Sequence, residues 1–369
     1  MDLLEEKSEK NKLGIKKSWW QKALINFGLM VLSFVFILAV LEIGVRIFAK
    51  PVYPILKSDK QVGKLYESNF EGKIWDSESQ RWNYIKTNNL GYIGNDIFQK
   101  DKKTTRIAIL GDSMTAALQV DWWKNFSSLL DTALAVSQSE KKYQILNFGV
   151  GGTGTFLQYQ TYKYTVAVQK PDAAVVVFFE NDFTDNLDRI NFDLDNYFQA
   201  KDRNIWLKNF LLQFDLTRFV FNKLQQNFLF LKILDKIGVY ELNQNLIDYN
   251  QGVDMTKNKD YYQYTFSIIK KFKEKCDQDQ VRFYLALLPL EVNYFSKENC
   301  EKMTDYKKLK EFLDQEKINY INLCPLLAEV RSYYSKDKYF TFGQGGGHLN
   351  ELGHKELAKI LYQFIKNNL

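Results

Sequence analysis

His348 and His354 are the only imidazoles in 369 residues, so chemistry that needs such a base has almost no choice. The candidate nucleophile is Ser113, within "RIAILGDSMTAALQV" (Arg106 to Val120). There four apolar residues, Ile107 to Leu110, run straight into Gly-Asp-Ser, and the chain then turns helix-like. A serine just past a buried strand stands where the first N–H groups of a helix and its dipole favour a developing negative charge. That place suits a hydroxyl whose attack on a carbonyl makes an oxyanion. The simpler alternative is a helix cap, with Asp112 or Ser113 satisfying backbone donors.

Three further stretches carry residues of the same chemistry. "NFGVGGTGT" (Asn147 to Thr155) packs four glycines into six positions, which lets backbone N–H groups approach a ligand. "FFENDFTDN" offers Asn181 and Asp182; a side-chain amide there can donate to an oxyanion. "GQGGGHLNELGHKELAKIL" (Gly343 to Leu361) puts His348 in a loop before an amphipathic helix and His354 at the start of that helix. His354 reads as a packing or capping residue. Cys276, Cys300 and Cys324 stand in no metal-ligand spacing, and no metal or cofactor is expected. They read as three unrelated residues, or as a Cys300–Cys324 disulfide and one free thiol if the domain lies outside the cytoplasm.

These pieces need a frame. Apolar runs at 106–110, 143–147, 173–179, 281–288 and 318–323 alternate with helical patterns from Thr105 onward. Such alternation predicts an α/β fold with a parallel sheet covered on both faces. In that architecture ligands bind beyond the C-terminal strand ends, at the switch point in strand order. Roughly 100 residues between the third and fourth runs are far longer than a usual crossover. Within them, aromatics recur at helical spacing from Asn204 to Gly238. The spacing predicts an inserted helical pair packed on the domain; a lid, or an amphipathic surface touching a bilayer, are the sharper alternatives.

Upstream, Ala23 to Leu41 contains no charge. At 1.5 Å per residue it reaches about 28 Å, close to the hydrocarbon thickness of a bilayer. A cleaved signal peptide would have a shorter apolar stretch and a small-x-small site, which the sequence that follows lacks. Lys10, Lys12, Lys16, Lys17 and Lys22 precede the span, whereas Arg46 and Lys50 follow it, and Trp19 and Trp20 suit the interface. The positive-inside rule then puts the N-terminus in the cytoplasm and the rest outside. The expected organisation is a cytoplasmic tail (1–22), a single-pass membrane helix (23–46), a stalk and lead-in (47–103) and a catalytic domain (104–369) with a helical insertion at about 186–260.

In this order the blocks resemble the SGNH (GDSL) hydrolases. "GDSMT" matches the serine block through Ser113, and the glycine block falls on Gly152. "END" matches the asparagine block through Asn181, with Phe179 and Glu180 where a glycine usually precedes it, and "HLNELGH" matches the histidine block through His348. "TNNLGYIG" (Thr87 to Gly94) is similar to the lead-in of membrane-anchored bacterial members. The resemblance implies a flavodoxin-like, doubly wound sheet of five parallel strands and hydrolysis or transfer of an acyl group. Ser113 would attack an ester carbonyl and His348 would take its proton. The oxyanion would be held by the N–H groups of Ser113 and Gly152 and the amide of Asn181, with Asp112, Asp182 and Asn350 in support.

The family places an aspartate two or three residues before the histidine; here those positions are Gly346 and Gly345. A Ser–His dyad oriented by a backbone carbonyl, a distant acid such as Asp337 or Glu351, or a site that only binds are the alternatives. The dyad is the leading expectation. Family and location together point to acylated glycans of the envelope or an exopolysaccharide, and a transferase would draw on a membrane-bound acyl donor. The chain carries a net charge of +6 with acidic and basic residues interspersed and no basic block, which gives nucleic-acid binding no support. Activity is expected to fall as pH drops through the His348 pKa, near 6.5 if unshifted.

Overall fold

The computed structural model describes residues 2–49, 56–137, 142–187, 194, 204–224, 227–239, 260–289, 300, 304–335, 338–343 and 346–369. The chain divides into two compact units: 1–51 with 213–223, and 52–212 with 224–369.

In the first unit, helix α1 (Asp2–Phe48) includes a stretch from Trp19 to Phe48 that is long and apolar enough to cross a membrane and is not buried in the structure. Its uncharged part is apolar all round, which is the composition of a membrane-spanning segment.

The second unit opens with two antiparallel hairpins, β1 (Leu56–Asp59) with β2 (Gly63–Tyr66) and β3 (Glu71–Asp76) with β4 (Arg81–Lys86). The central sheet follows: β5 (Thr104–Gly111), β6 (Lys142–Gly149), β7 (Ala173–Phe179), β8 (Arg282–Leu288) and β9 (Tyr320–Asn322). Its order is β6-β5-β7-β8-β9, all parallel. Counting from its first strand this is 2-1-3-4-5, the flavodoxin-like order, with its switch point at β5.

The helices that wrap the sheet are α2 (Ser113–Ala116), α3 (Phe126–Ala135), α4 (Thr155–Thr161), α5 (Asp182–Leu187), α9 (Asp260–Gln278), α10 (Thr304–Gln315), α11 (Leu323–Ser332) and α12 (Glu351–Asn368). Between α5 and α9 the insertion holds α6 (Ile205–Leu211), α7 (Asp215–Leu224) and α8 (Phe228–Lys236), of which α7 belongs with α1 in the first unit. Helix α6 is docked on β1 by Asn209, whose side chain accepts from the Ser58 N–H at 3.0 Å and donates to the Ser58 carbonyl at 2.9 Å. A last short hairpin, β10 (Thr341–Gly343) with β11 (Gly346–Leu349), precedes α12.

Alternate residues of each strand feed opposite cores, which is why the strands read as unbroken apolar runs. Ala108, Leu110, Val176 and Phe178 join one cluster; Ile107, Ile109, Val175 and Val177 join the other. The first cluster also takes Tyr66, Ile74, Ile85, Tyr92, Ile93 and Ile97. The segment expected as stalk and lead-in is therefore, over these residues, part of the core. Its short alternating strands carry too few apolar residues in sequence to announce that burial.

The "TNNLGYIG" stretch forms a tight loop in this layer. The Asn88 side chain accepts from the Leu90 and Tyr92 N–H groups at 2.9 and 3.0 Å. Gly91 sits at φ +81°, and a Cβ there would lie 2.3 Å from the Tyr66 carbonyl oxygen. Gly91→Ala thus combines a left-handed backbone with a backbone clash. It should destabilise the protein by about 2 kcal/mol or more, read as a lowered thermal midpoint of the purified chain.

Cys300 and Cys324 form a disulfide, and Cys276 is a buried free thiol.

Candidate active site

Ser113 opens α2 directly after β5. A side chain on Gly111 would meet Thr115 Oγ1 at 2.1 Å, which explains the glycine before Asp-Ser. Asp112 caps α2: its Oδ1 accepts from the Met114 N–H at 2.9 Å. Capping therefore falls to Asp112, and the Ser113 hydroxyl is left for other work. The Ser113 N–H lies in the first turn, where helix donors have no intrahelical acceptor.

The Ser113 hydroxyl meets His348. Ser113 Oγ and His348 Nε2 are 2.8 Å apart, across 235 residues of sequence. His348 was expected in a loop; it stands on β11, paired antiparallel to β10. Asn350 fixes the end of that strand. Its Oδ1 accepts from the Leu352 and Gly353 N–H groups, both at 3.0 Å, and its Nδ2 donates to the carbonyls of Tyr339 at 2.8 Å and Thr341 at 3.0 Å.

The other ring nitrogen faces an acid that sequence reasoning missed. Glu78 Oε2 lies 2.5 Å from His348 Nδ1, and Glu78 Oε1 accepts from the His348 backbone N–H at 2.7 Å. Both side chains keep 29% of their surface exposed, enough for a substrate to reach them. Glu78 lies in the turn between β3 and β4, a segment with no motif of its own. Asp337 lies outside the described residues. Glu351 is engaged elsewhere, with Arg81 at 2.7 Å and Lys124 at 3.0 Å.

The turn is held from several sides. Asp76 Oδ2 accepts from the Ser79 N–H at 2.6 Å. The fully buried Asn83 donates to Ser79 Oγ at 3.2 Å and to the Leu118 carbonyl at 3.1 Å, while Asp121 Oδ1 accepts from the Tyr84 N–H at 2.9 Å. Leu118 and Asp121 follow α2, and the Arg81–Glu351 pair reaches the first turn of α12. The hairpin is thus tied to the element that carries the serine and to the one beside the histidine.

Burial pulls the His348 pKa down, but the hydrogen bond and charge of Glu78, with the charges of Asp112 and Asp76, leave it above its ordinary value. Burial likewise raises Glu78, and its bonds to His348 bring it below the usual carboxylate range. Activity that needs neutral His348 should therefore rise with pH through a midpoint above 6.5. A pH profile of kcat/KM on a soluble ester reads that midpoint.

The glycine turn after β6 sits beside the serine. A Cβ on Gly151 would lie 3.7 Å from Ser113 Cβ and 3.7 Å from the Tyr66 hydroxyl. Tyr66 accepts from the Gly151 N–H at 3.1 Å, and Lys64 Nζ donates to the Gly152 carbonyl at 3.1 Å. The lead-in hairpin β1–β2 therefore braces this turn.

Asn181 is close but differently engaged. Its Nδ2 donates to Asp112 Oδ2 at 3.1 Å and to Asp185 Oδ2 at 3.0 Å, and its buried Oδ1 has no partner among the described residues. Both amide hydrogens are committed to carboxylates, so donation to an oxyanion requires one of them to be released. Asp182 lies fully buried behind this pair. Its oxygens accept from the Gln158 side chain at 3.0 Å and the Phe179 N–H at 3.2 Å. Burial, and then the charges of Asp112 and Asp185, hold its carboxyl well above the usual range; burial also raises Asp112.

His354 is buried away from this chemistry. It stacks on Phe126 with ring centres 5.9 Å apart, and its Nδ1 accepts from the Phe126 N–H at 3.4 Å. Burial pushes its pKa down to about 3, so it stays neutral.

The arrangement can do nucleophilic acyl chemistry: a hydroxyl, a base whose far nitrogen is held by a carboxylate, and nearby backbone donors. Among the described residues no group of three or more His, Cys, Asp and Glu could hold a metal ion.

No family model and no curated protein matches the chain. Solved structures similar to it include TesA, at 14% identity and a TM-score of 0.40 over 72% of this chain and 99% of that one. Axe2, an acetylxylan esterase from Geobacillus stearothermophilus, aligns at 12% identity and a TM-score of 0.42 over 71% of this chain and 94% of that one. A G-D-S-L family protein from Desulfitobacterium hafniense aligns at 12% identity and a TM-score of 0.39 over 70% of this chain and 98% of that one.

Proposed function

We propose that this protein is a membrane-anchored serine esterase or O-acyltransferase of the SGNH type. It acts outside the cytoplasm on acylated glycans, with Ser113 as nucleophile, His348 as general base and Glu78 as the acid that orients it. The observation that carries this reading is the 2.8 Å approach of Ser113 Oγ to His348 Nε2 with a carboxylate on Nδ1. With Glu78 in that role, the relay is a triad rather than the dyad the sequence suggested.

In the proposed reaction, His348 takes the Ser113 proton as Oγ attacks the ester carbonyl. The tetrahedral oxyanion is met by the N–H groups of Ser113 and Gly152. The leaving alcohol takes the proton back from His348, which leaves an acyl-serine. Water then gives hydrolysis, and a glycan hydroxyl gives transfer. Glu78 holds the imidazole in the tautomer with Nδ1 protonated and stabilises its cation.

The extracytoplasmic assignment is supported by the charge asymmetry around the span and by the Cys300–Cys324 disulfide, a bond that persists in oxidising compartments. The glycan assignment rests on the family resemblance together with that location. A lipid-acting esterase is the second reading, favoured by the exposed Trp206, Phe210, Leu229 and Ile233 on the insertion.

A fluorophosphonate probe tests the enzyme reading. Labelling of the wild type at neutral pH, and none of Ser113→Ala, is expected. A wild type that stays unlabelled would leave a protein that only binds. Rates on acetyl esters above those on long-chain esters support the glycan reading, and the reverse supports the lipid one.

A further inference from the structure

Helix α7 cannot start itself. The residue before it is Phe214, whose carbonyl accepts from the Arg218 N–H and whose side chain offers no capping oxygen. The missing acceptors come from α1. Glu42 Oε1 accepts from the Asp215 N–H at 3.1 Å and Glu42 Oε2 accepts from the Leu216 N–H at 2.9 Å. Arg46 Nε lies 2.9 Å from Glu42 and 3.2 Å from Asp215, and Asp215 also pairs with Arg218. One carboxylate on the membrane helix thus starts a helix supplied by the insertion, 173 residues later.

The position of Glu42 fixes where this happens. Ala23 to Leu41 carries no charge, and Glu42 is the first charged residue after it. Nineteen uncharged residues reach about the thickness of the hydrocarbon layer. The start of α7 is therefore held at the boundary between acyl chains and headgroups, on the side away from the lysine-rich tail.

The surface of α7 suits that place. Phe219, Val220 and Leu224 are exposed along one arc of the helix, and Phe214 is exposed just before it. Lys223 shares the arc, its Nζ 6.0 Å from the centre of the Phe219 ring. Its stem can lie along apolar surface while the ammonium reaches water or phosphate. An exposed apolar face with a cation on it is the pattern of a helix lying in a bilayer interface.

We propose that α7 is an interfacial membrane helix, and that the occupant of its exposed face is the lipid of the bilayer that α1 crosses. This rests on the reading of α1 as a membrane anchor. It gives part of the insertion the role of a platform in the lipid interface.

The test uses the full chain in phosphatidylethanolamine–phosphatidylglycerol nanodiscs, with spin labels on single introduced cysteines. Cys276 is buried and Cys300 is bonded to Cys324, so the introduced thiols react selectively. Phe219→Cys is compared with Val31→Cys in the middle of the span and with Asn367→Cys on an exposed turn of α12. Relative accessibility to oxygen and to a water-soluble nickel complex should place the 219 label between the other two. Glu42→Ala should raise the mobile, nickel-accessible population at 219 about fivefold, the effect of losing one cap. A 219 label as wet as that at 367, with the label at 31 in lipid, overturns the platform and leaves the anchor standing. A 219 label shielded from both reagents also overturns it, in favour of a protein partner or a second copy. Water at position 31 overturns the anchor reading itself.

Discussion

Glu78→Gln is expected to lower kcat on a soluble ester by about 10⁴, the scale seen when the acid of a triad loses its charge. The glutamine amide is nearly isosteric. Its oxygen can still accept from the His348 backbone N–H, so the hairpin has little reason to leave. What changes is the partner of Nδ1: a neutral amide cannot stabilise the imidazolium, and its NH₂ can face the ring and favour the wrong tautomer. The pH profile supplies a second readout. With the charge of Glu78 gone, the burial that pulls the His348 pKa down meets less opposition. The midpoint of kcat/KM should therefore move to lower pH while the maximum falls. A variant that keeps full activity and an unmoved midpoint would remove Glu78 from the mechanism.

Ser113→Ala is expected to cost about 10⁶ in kcat, since a group that forms the covalent bond carries the whole acyl-enzyme route. Asp112, rather than Ser113, caps α2, so the alanine variant should keep its thermal midpoint. The double variant Ser113→Ala, Glu78→Gln should be no slower than Ser113→Ala alone. Residues that act as one unit fail together, and their losses do not add. Additive losses would mean that Glu78 acts on folding or on substrate binding and not through His348.

The parallel sheet was legible because strands buried on both faces must be apolar at every position, and Ile107 to Leu110 and Ala173 to Phe179 have nothing else to be. The residues at the strand ends were legible only in combination: a cap or a tight turn explains each alone, and the ordered set Ser113, Gly152, Asn181 and His348 carried the pattern. His348 stood out as one of two imidazoles and Ser113 by its place just after an apolar run, and they lie 2.8 Å apart. Glu78 was not legible. Its hairpin pairs Trp75 with Trp82 and Asp76 with Arg81, a half-exposed ribbon whose alternation is weak, and the acid sits on its turn among Ser77, Ser79 and Gln80. Its contact with His348 spans 270 residues and is made by three-dimensional docking alone. Asn181 illustrates the converse limit. Its place after β7 could be read, but the two carboxylates that engage its amide come from different elements, one of them 69 residues earlier.

A carboxylate carried on a ribbon outside the sheet gives the proposed activity two thresholds. Ile74 and Ile85 seat the ribbon in the core, but the turn that carries Glu78 (Ser77 to Gln80) has no apolar residue, and such turns open before the cores they border. On gentle heating, turnover would fade while the parallel strands kept their circular dichroism, and it would return on cooling. Loss of function would then report the lifting of one turn, well before the chain as a whole lets go.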